Sequence, residues 1–267
     1  MSVNSYLEDL SSSLVLKDEE KSSIELSITT LQRRLDSYFA NKVIEQHRFG
    51  SSTRGTILPR KTDENSDIDY MIVFNTSDYT YKPQTYLNYL KDFAEKYYSS
   101  SEIHQSNPVV VLELNHIKFD LVPARKENYY YSSAYYYIPS PSNYLSEWKN
   151  TDPWGYDQEL LAKNKNHNYK IKPLIRIMKY WNSLVGHAFI SFDLEKYITN
   201  SYFSYENLLS EFFYTVWSNF SIQSGWPQRV IDAVTKVKNE VSEIKDLDYR
   251  GYDNQAEERL RKIIQKV

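Results

Sequence analysis

The chain has 267 residues, a formal net charge of −3 and no cysteine. This length suffices for one large or two modest domains, and the absence of thiols excludes disulfides and thiolate metal sites. The small acidic excess argues against a protein that coats long nucleic-acid duplexes. The N-terminal stretch lacks the apolar run of a signal peptide, and no later segment has the roughly 18 apolar residues of a membrane span. We therefore expect a cytoplasmic protein without a membrane partner.

The first hundred or so residues mix helix and strand patterns. Residues 18 to about 42 carry apolar side chains at intervals of three and four, which predicts a long amphipathic helix. The β-branched pair Val43-Ile44 indicates a strand, and the continuous apolar run at 68–74 predicts a strand that is buried on both faces. Residues 83 to about 98 favour a second helix.

A change of pattern divides the rest of the chain. Residues 109–124 predict two strands around an Asn-His turn. Pro, Ser, Asn and Gly then interrupt the patterns at 137–155, and helical patterns dominate beyond this segment. We therefore expect one domain at 1–150, which includes the long first helix, and a helical domain at 151–267.

The stretch HRFGSSTRGT, residues 47–56, has the composition of a loop that binds phosphate, but it matches neither of two familiar motifs. A nucleophile elbow requires a second glycine where Arg54 stands, and a P-loop requires a lysine where Thr56 stands. Two interpretations remain. Gly50 and Ser51 either form a plain turn or use their amides and hydroxyl to hold phosphate oxygens.

Three aspartates have the arrangement of a metal site. Asp67 and Asp69 lie two apart in the predicted buried strand, so their side chains point to the same face. Two neighbouring carboxylates repel each other, and a divalent cation such as Mg²⁺ relieves that repulsion. Asp120 lies on the non-core face of its own strand; alone it would be a solvated edge residue, but with the pair it becomes a third ligand. Three carboxylates that hold two ions suit phosphoryl transfer.

The ordered set of Gly50-Ser51, Asp67, Asp69 and Asp120 resembles the signature of the DNA polymerase β-like nucleotidyltransferase superfamily. The segment FGSSTRGTILPRKTDENSDIDYMIVF is similar to the bacterial cGAS/DncV-like nucleotidyltransferases of antiphage signalling. This resemblance implies an α+β fold, in which a polymerase β-like core of mixed sheet and helices precedes a C-terminal helical domain that completes the nucleotide-binding cleft. It extends from the long first helix to about residue 200.

The resemblance also assigns roles in the second half of the chain. An amphipathic helix is predicted at 170–184, with a basic face that is either solvated or bound to an anion. In the resembled family this helix contributes a lysine to the nucleotide triphosphate, and Lys179 occupies that position. The family then has a serine followed by an aromatic that stacks on the donor base, which Ser191 and Phe192 match. Composition alone would place Phe192 in the core.

The activity that the resemblance implies is template-independent joining of NTPs, with ATP and a second NTP as substrates. A ribose hydroxyl attacks an α-phosphate and pyrophosphate leaves, to give a cyclic di- or trinucleotide messenger that a downstream effector senses. Asp67, Asp69 and Asp120 would hold two Mg²⁺ or Mn²⁺ ions, Asp120 would also help to activate the hydroxyl, and Gly50 and Ser51 would bind the outgoing phosphates. Without cysteines the chain has no thiolate zinc insertion, which favours constitutive activity or control by a protein or small molecule.

Two alternatives remain open. A tRNA 3′-end-adding nucleotidyltransferase has nearly the same motifs, but it needs a tRNA-binding region for which this chain leaves little room. A catalytically silent nucleotide-binding or antitoxin-like partner protein belongs to a different class, and the intact Asp67, Asp69 and Asp120 argue against it.

Overall fold

The computed structural model describes residues 2–127, 135–141 and 146–266. The chain forms two compact units, each made from separate segments. The sheet unit comprises Leu16–Arg60 and Glu64–Asp157, and the helical unit comprises Met1–Val15, Lys61–Asp63 and Gln158–Val267. The α+β fold class is confirmed. None of the helices in the described ranges is long and apolar enough to cross a bilayer.

The described part of the sheet unit forms one seven-stranded sheet. Its strands are β1 (Val43–Phe49), β2 (Asp67–Phe74), β3 (Glu102–Ser106), β4 (Val109–Glu113), β5 (Lys118–Glu127), β6 (Tyr135–Pro139) and β7 (Trp148–Thr151). The order is β1-β2-β5-β4-β3, and β6 pairs with both β5 and β7. Strands β2 and β5 are parallel, whereas the other neighbouring strands are antiparallel. The predicted strands at 68–74 and 109–124 are confirmed.

Helices cover one face of this sheet. The helices of the sheet unit are α2 (Asp18–Phe39), the short α3 (Ser51–Arg54) and α4 (Pro83–Tyr97). The apolar stripes of α2 and α4 pack in one core with alternate residues of β2, which are Ile68, Tyr70, Ile72 and Phe74. The remaining β2 positions therefore face the opposite side, so Asp67 and Asp69 point away from the helices.

The helical unit includes the first helix of the chain. Its helices are α1 (Val3–Ser13), α6 (Ile171–Leu184), α7 (Ser191–Asn200), α8 (Leu209–Asn219), α9 (Gln228–Tyr249) and α10 (Asp253–Ile263). Helix α1 buries an apolar stripe against α6, α8 and α10, and the Tyr6 hydroxyl donates to the Ile264 carbonyl at 2.8 Å. Helix α5 (Gly155–Asn166) contains the point at which the chain leaves the sheet unit.

The boundaries of the two units differ from the single domain boundary near residue 150 that the sequence pattern suggests. Residues 1–15 belong to the helical unit, because the stripe of α1 is buried there. The sheet unit continues to Asp157, because the segment at 137–155 contains β7 and most of β6. The long helix predicted at 18 to about 42 is α2, which ends at Phe39, slightly earlier than predicted, where Ala40 adopts a positive φ of 48°.

Hydrogen bonds to one carboxylate, that of Glu45, join three strands on the face of the sheet opposite α2 and α4. Glu45 on β1 accepts hydrogen bonds from Lys126 at 2.5 Å, Tyr136 at 2.8 Å and His47 at 3.0 Å. Burial opposes ionisation of Glu45, but the hydrogen bonds from His47, Lys126 and Tyr136 outweigh it and lower its pKa to about 2. The ionised carboxylate therefore stabilises the fold.

We expect Glu45→Gln to lower the free energy of unfolding at pH 6 by about 1–2 kcal/mol, because charge-assisted hydrogen bonds are lost. Because the pKa of Glu45 is lowered in the folded state, its ionised form stabilises the fold at pH values above 4.5, the ordinary pKa of a glutamate. This stabilisation is lost as the pH falls toward 2. Urea unfolding should show the difference between variant and wild type narrowing by about 1 kcal/mol between pH 6 and 3.5. A difference that is constant with pH would contradict this prediction.

Candidate active site

The three predicted aspartates lie on one face of the sheet. In the parallel pairing of β2 with β5, Asp69 lies beside Asp120 and Asp67 lies beside Lys118. Neighbouring residues in register point to the same face, so strand pairing brings the carboxylates together from distant parts of the sequence. The same pairing adds Lys118, whose Nζ lies 3.6 Å from Oδ2 of Asp67.

Asp120 is in an unusual electrostatic environment. Its pKa is raised to about 6, mainly by burial and to a smaller extent by the negative charge of Asp67. The positive charge of Lys118 acts in the opposite direction. Its Oδ1 atom is buried and meets no hydrogen-bond donor among the described residues. Buried carboxylate oxygens normally have a partner, and a hard cation would supply one.

Gly50 brings the turn after β1 against Asp69. Its φ of 77° and ψ of −153° lie in a region that glycine alone adopts readily. A Cβ at this position would fall inside the Asp69 carboxylate. Ser51 follows as the first residue of α3, and its carbonyl accepts from the amides of Thr56 at 3.0 Å and Ile57 at 3.1 Å. The turn and the acidic site are therefore contiguous.

A buried ion pair anchors this turn, and sequence analysis did not identify it. Arg54 Nη1 lies 3.2 Å from Asp157 Oδ1, and the guanidinium stacks over Tyr156 at 5.1 Å. The Thr53 hydroxyl bonds both the Gly50 carbonyl at 2.9 Å and Asp157 Oδ2 at 3.2 Å. Arg54 is 7% exposed, and breaking such a buried pair is costly. The pair thus fixes α3 to the first turn of α5.

The predicted site residues of the helical unit lie near one another. Lys179 on α6 is 7% exposed and donates to Glu195 Oε1 on α7 at 3.3 Å. Glu195 lies one helical turn after Ser191 and Phe192, which begin α7. The Phe192 ring is 42% exposed, and Lys196 Nζ lies 5.7 Å from its centroid. Phe192 is therefore not a core residue, and Glu195 offsets the cost of burying the Lys179 ammonium.

The chemistry of these side chains suits a hard divalent cation. Asp67, Asp69 and Asp120 present carboxylates on one face of the sheet, and Oδ1 of Asp120 is buried without a hydrogen-bond partner among the described residues. Within the described ranges, however, no three His, Asp or Glu side chains are close enough together to hold an ion in their present positions. The assignment of Asp67, Asp69 and Asp120 as metal ligands stays a prediction.

Sequence comparison gives a family match over more than half of the chain. Residues 1–164 match the family described as the Second Messenger Oligonucleotide or Dinucleotide Synthetase (SMODS) domain. A probable cyclic nucleotide synthase of Bacillus cereus is 37% identical over 90 residues, which is 32% of this chain. The matched stretch spans only 26% of the length of that curated relative.

Structure comparison gives matches over most of the chain. Vibrio cholerae DncV cyclic AMP-GMP synthase, in complex with the linear intermediate 5′ pppA(3′,5′)pG, has a TM-score of 0.71 at 13% identity, over 88% of this chain and 87% of that one. Escherichia coli CdnC with ATP has a TM-score of 0.67 at 15% identity, over 94% of both chains. At these identities the similarity concerns the fold.

Proposed function

Because the chain belongs to the family of second messenger oligonucleotide or dinucleotide synthetases, which are cGAS/DncV-like nucleotidyltransferases, we propose that it joins NTPs into a cyclic di- or trinucleotide without a template. The observation that carries this proposal is the shared face of Asp67, Asp69 and Asp120, with the Gly50 turn directly against Asp69. In this proposal the Gly50 turn binds phosphate and the three carboxylates bind the metal ions, so the two groups that phosphoryl transfer uses are adjacent.

In the proposed reaction, a ribose hydroxyl oxygen of one nucleotide forms a bond to the α-phosphorus of another. The bond from that phosphorus to the bridging oxygen of the β-phosphate breaks, and pyrophosphate leaves with the electron pair. Asp67, Asp69 and Asp120 would hold two Mg²⁺ or Mn²⁺ ions, which supply positive charge to the phosphates and the attacking oxygen. Asp120 also helps to accept the proton of the attacking hydroxyl. Gly50 and Ser51 bind the departing phosphates.

The helical unit contributes nucleotide contacts in this proposal. Lys179 offsets the negative charge of the triphosphate. To do so, its ammonium either leaves the Glu195 carboxylate for the phosphate oxygens or donates to both. Phe192 stacks on the donor base, and its exposed ring at the start of α7 is consistent with that role. Ser191, the preceding residue, contacts the same nucleotide.

We expect Phe192→Ala to weaken NTP binding by roughly 1–3 kcal/mol, the usual contribution of one aromatic-base stack. The melting temperature without ligand should change little, because the ring is 42% exposed. Isothermal titration with a non-hydrolysable ATP analogue measures the first effect, and a thermal melt measures the second. A loss of stability without a loss of affinity would instead assign Phe192 a structural role.

We further propose that the product is a second messenger of antiphage defence, made in the cytoplasm and sensed by a separate effector. The family description, which names second messenger synthesis, supports the messenger part of this role. ATP and a second NTP are the proposed substrates.

The experiment that tests the activity is incubation of the purified chain with the four NTPs and Mg²⁺ or Mn²⁺, followed by phosphatase treatment and mass analysis. A cyclic product has no terminal phosphate, so it survives the phosphatase. We expect such a product. If no NTP mixture yields one, with or without candidate activators, the protein is a silent nucleotide-binding partner. Addition of nucleotides to a tRNA lacking its 3′ end would indicate the tRNA-adding activity.

A further inference from the structure

Lys118 lies inside the acidic site. Its Nζ is 3.6 Å from Oδ2 of Asp67, and the Lys118 side chain is 18% exposed. The β2–β5 register sets the two residues directly side by side, so strand pairing keeps the ammonium next to this carboxylate. A cation that binds Asp67 would share that carboxylate with Lys118.

The other strand neighbour of Lys118 is already neutralised. Glu113 on β4 pairs with Lys118 across the sheet, but its carboxylate accepts from Arg60 Nη2 at 2.6 Å. Arg60 also donates to the Leu114 carbonyl at 3.4 Å, which holds the guanidinium beside Glu113. The positive charge of Lys118 therefore acts mainly on the acidic site.

We propose that Lys118 is the internal counter-ion of the acidic site: it neutralises Asp67 in the cation-free protein and competes with a divalent cation for that carboxylate. This inference rests on the proposed metal role of Asp67 and Asp69. A divalent cation alone must share the Asp67 carboxylate with the ammonium, which leaves two positive charges close together. A nucleotide triphosphate brings acceptor oxygens for the same ammonium. Bound nucleotide therefore increases the affinity of the site for the divalent cation.

The test is a titration of the full chain with Mn²⁺, without nucleotide and at low ionic strength. Electron paramagnetic resonance measures the bound Mn²⁺. Lys118→Met removes the charge and keeps most of the side-chain length, whereas Lys118→Arg keeps the charge. Lys91→Met is the matched control, because Lys91 is a 45% exposed residue of α4 whose Nζ lies 3.7 Å from Glu95. We expect Lys118→Met to bind Mn²⁺ about five- to tenfold more tightly than wild type. Lys118→Arg and Lys91→Met should bind as wild type does.

Thermal unfolding gives a second readout that requires no activity. Without its counter-ion the carboxylate cluster repels itself, so Lys118→Met should melt at a lower temperature than wild type in the absence of divalent cations. Added Mn²⁺ should raise the melting temperature of Lys118→Met more than that of wild type, because tighter binding stabilises the folded state further. Lys118→Gln serves in both measurements if the methionine variant does not fold.

One result would overturn the inference: an Mn²⁺ affinity of Lys118→Met that equals or falls below that of wild type. If that variant also lost affinity for a non-hydrolysable ATP analogue, Lys118 would act on the nucleotide phosphates alone and not on the cation. Asp69→Asn distinguishes this result from failure of the metal site itself. If Asp69→Asn binds Mn²⁺ as wild type does, the proposed metal role is wrong. A loss of Mn²⁺ affinity in Asp69→Asn together with an unchanged affinity in Lys118→Met leaves that role intact and refutes the inference on Lys118.

Discussion

Asp69→Asn should give a folded, soluble protein that makes no detectable cyclic product. The change keeps the volume of the side chain but removes one negative charge from the proposed metal site. Catalysis by bound metal ions contributes several kcal/mol, so we expect the rate of product formation to fall by roughly three orders of magnitude. Folding should be retained or slightly improved, because repulsion between the neighbouring carboxylates is relieved.

The measurement is the NTP incubation with phosphatase treatment and mass analysis, under metal conditions in which wild type is active. Asp92→Asn is a matched control, since Asp92 is an exposed residue of α4, and it should retain wild-type activity. Asp67→Asn should behave as Asp69→Asn does, and the double variant should be little worse than either, because residues that act as one unit are strongly non-additive. Near-wild-type product from Asp69→Asn would refute the two-metal mechanism.

Gly50→Ala should lower product formation by about a hundredfold, because misplacing a reacting group by about 1 Å has effects of this size. The new Cβ would fall inside the Asp69 carboxylate, so either the turn or the carboxylate must move. The backbone at Gly50, with a φ of 77°, adds strain that should lower the free energy of unfolding by about 1–3 kcal/mol.

Gly55→Ala separates the two effects of this substitution. Gly55 also has a positive φ, of 70°, but a Cβ there would meet no described atom within 4 Å. Gly55→Ala should therefore lose about 1–2 kcal/mol of stability through backbone strain and keep its activity. Rates of product formation and urea unfolding, measured for both variants, test this contrast. Equal losses of activity in the two variants would show that backbone strain, and not the contact with Asp69, is responsible.

Local patterns in the sequence were sufficient to predict the acidic face of the sheet. The apolar run of β2 identifies a buried strand, and alternation along it fixes the side to which Asp67 and Asp69 point. The same reasoning gives the outward direction of Asp120 on β5. It could not give the pairing of Asp69 with Asp120, because the partner of a strand depends on the whole sheet and not on its own residues.

The ion pair that anchors the Gly50 turn could not be predicted for the same reason. Arg54 and Asp157 lie far apart in the sequence, and neither has a neighbouring residue that marks it as a partner of the other. Lys118 carries a weak signal, since alternation places it on the same face as Asp120, but the sequence does not show that Asp67 lies beside it. Contacts between distant segments thus account for most of what sequence reasoning missed at the site.

Two missed elements have local explanations. Helix α1 has apolar residues at suitable intervals, but it ends in a run of serines, and its stability comes from burial in the helical unit. Strand β3 (Glu102–Ser106) is an edge strand with exposed polar residues at alternate positions, so it lacks the apolar run that identifies a buried strand. Composition also could not predict that Phe192 is exposed at the start of α7, because it assigns aromatic residues to the core.

The parallel pairing of β2 with β5 makes the acidic face depend on a contact between distant segments. The connection between these strands includes α4, β3 and β4, so forming the pair closes a long loop of the chain. A shift of either strand by one residue would turn its aspartates toward the apolar core under α2 and α4. A chain in which β2 and β5 are unpaired or misregistered therefore has no assembled acidic face. For an enzyme whose product is a signal, this arrangement means that copies with an incorrectly paired sheet stay silent.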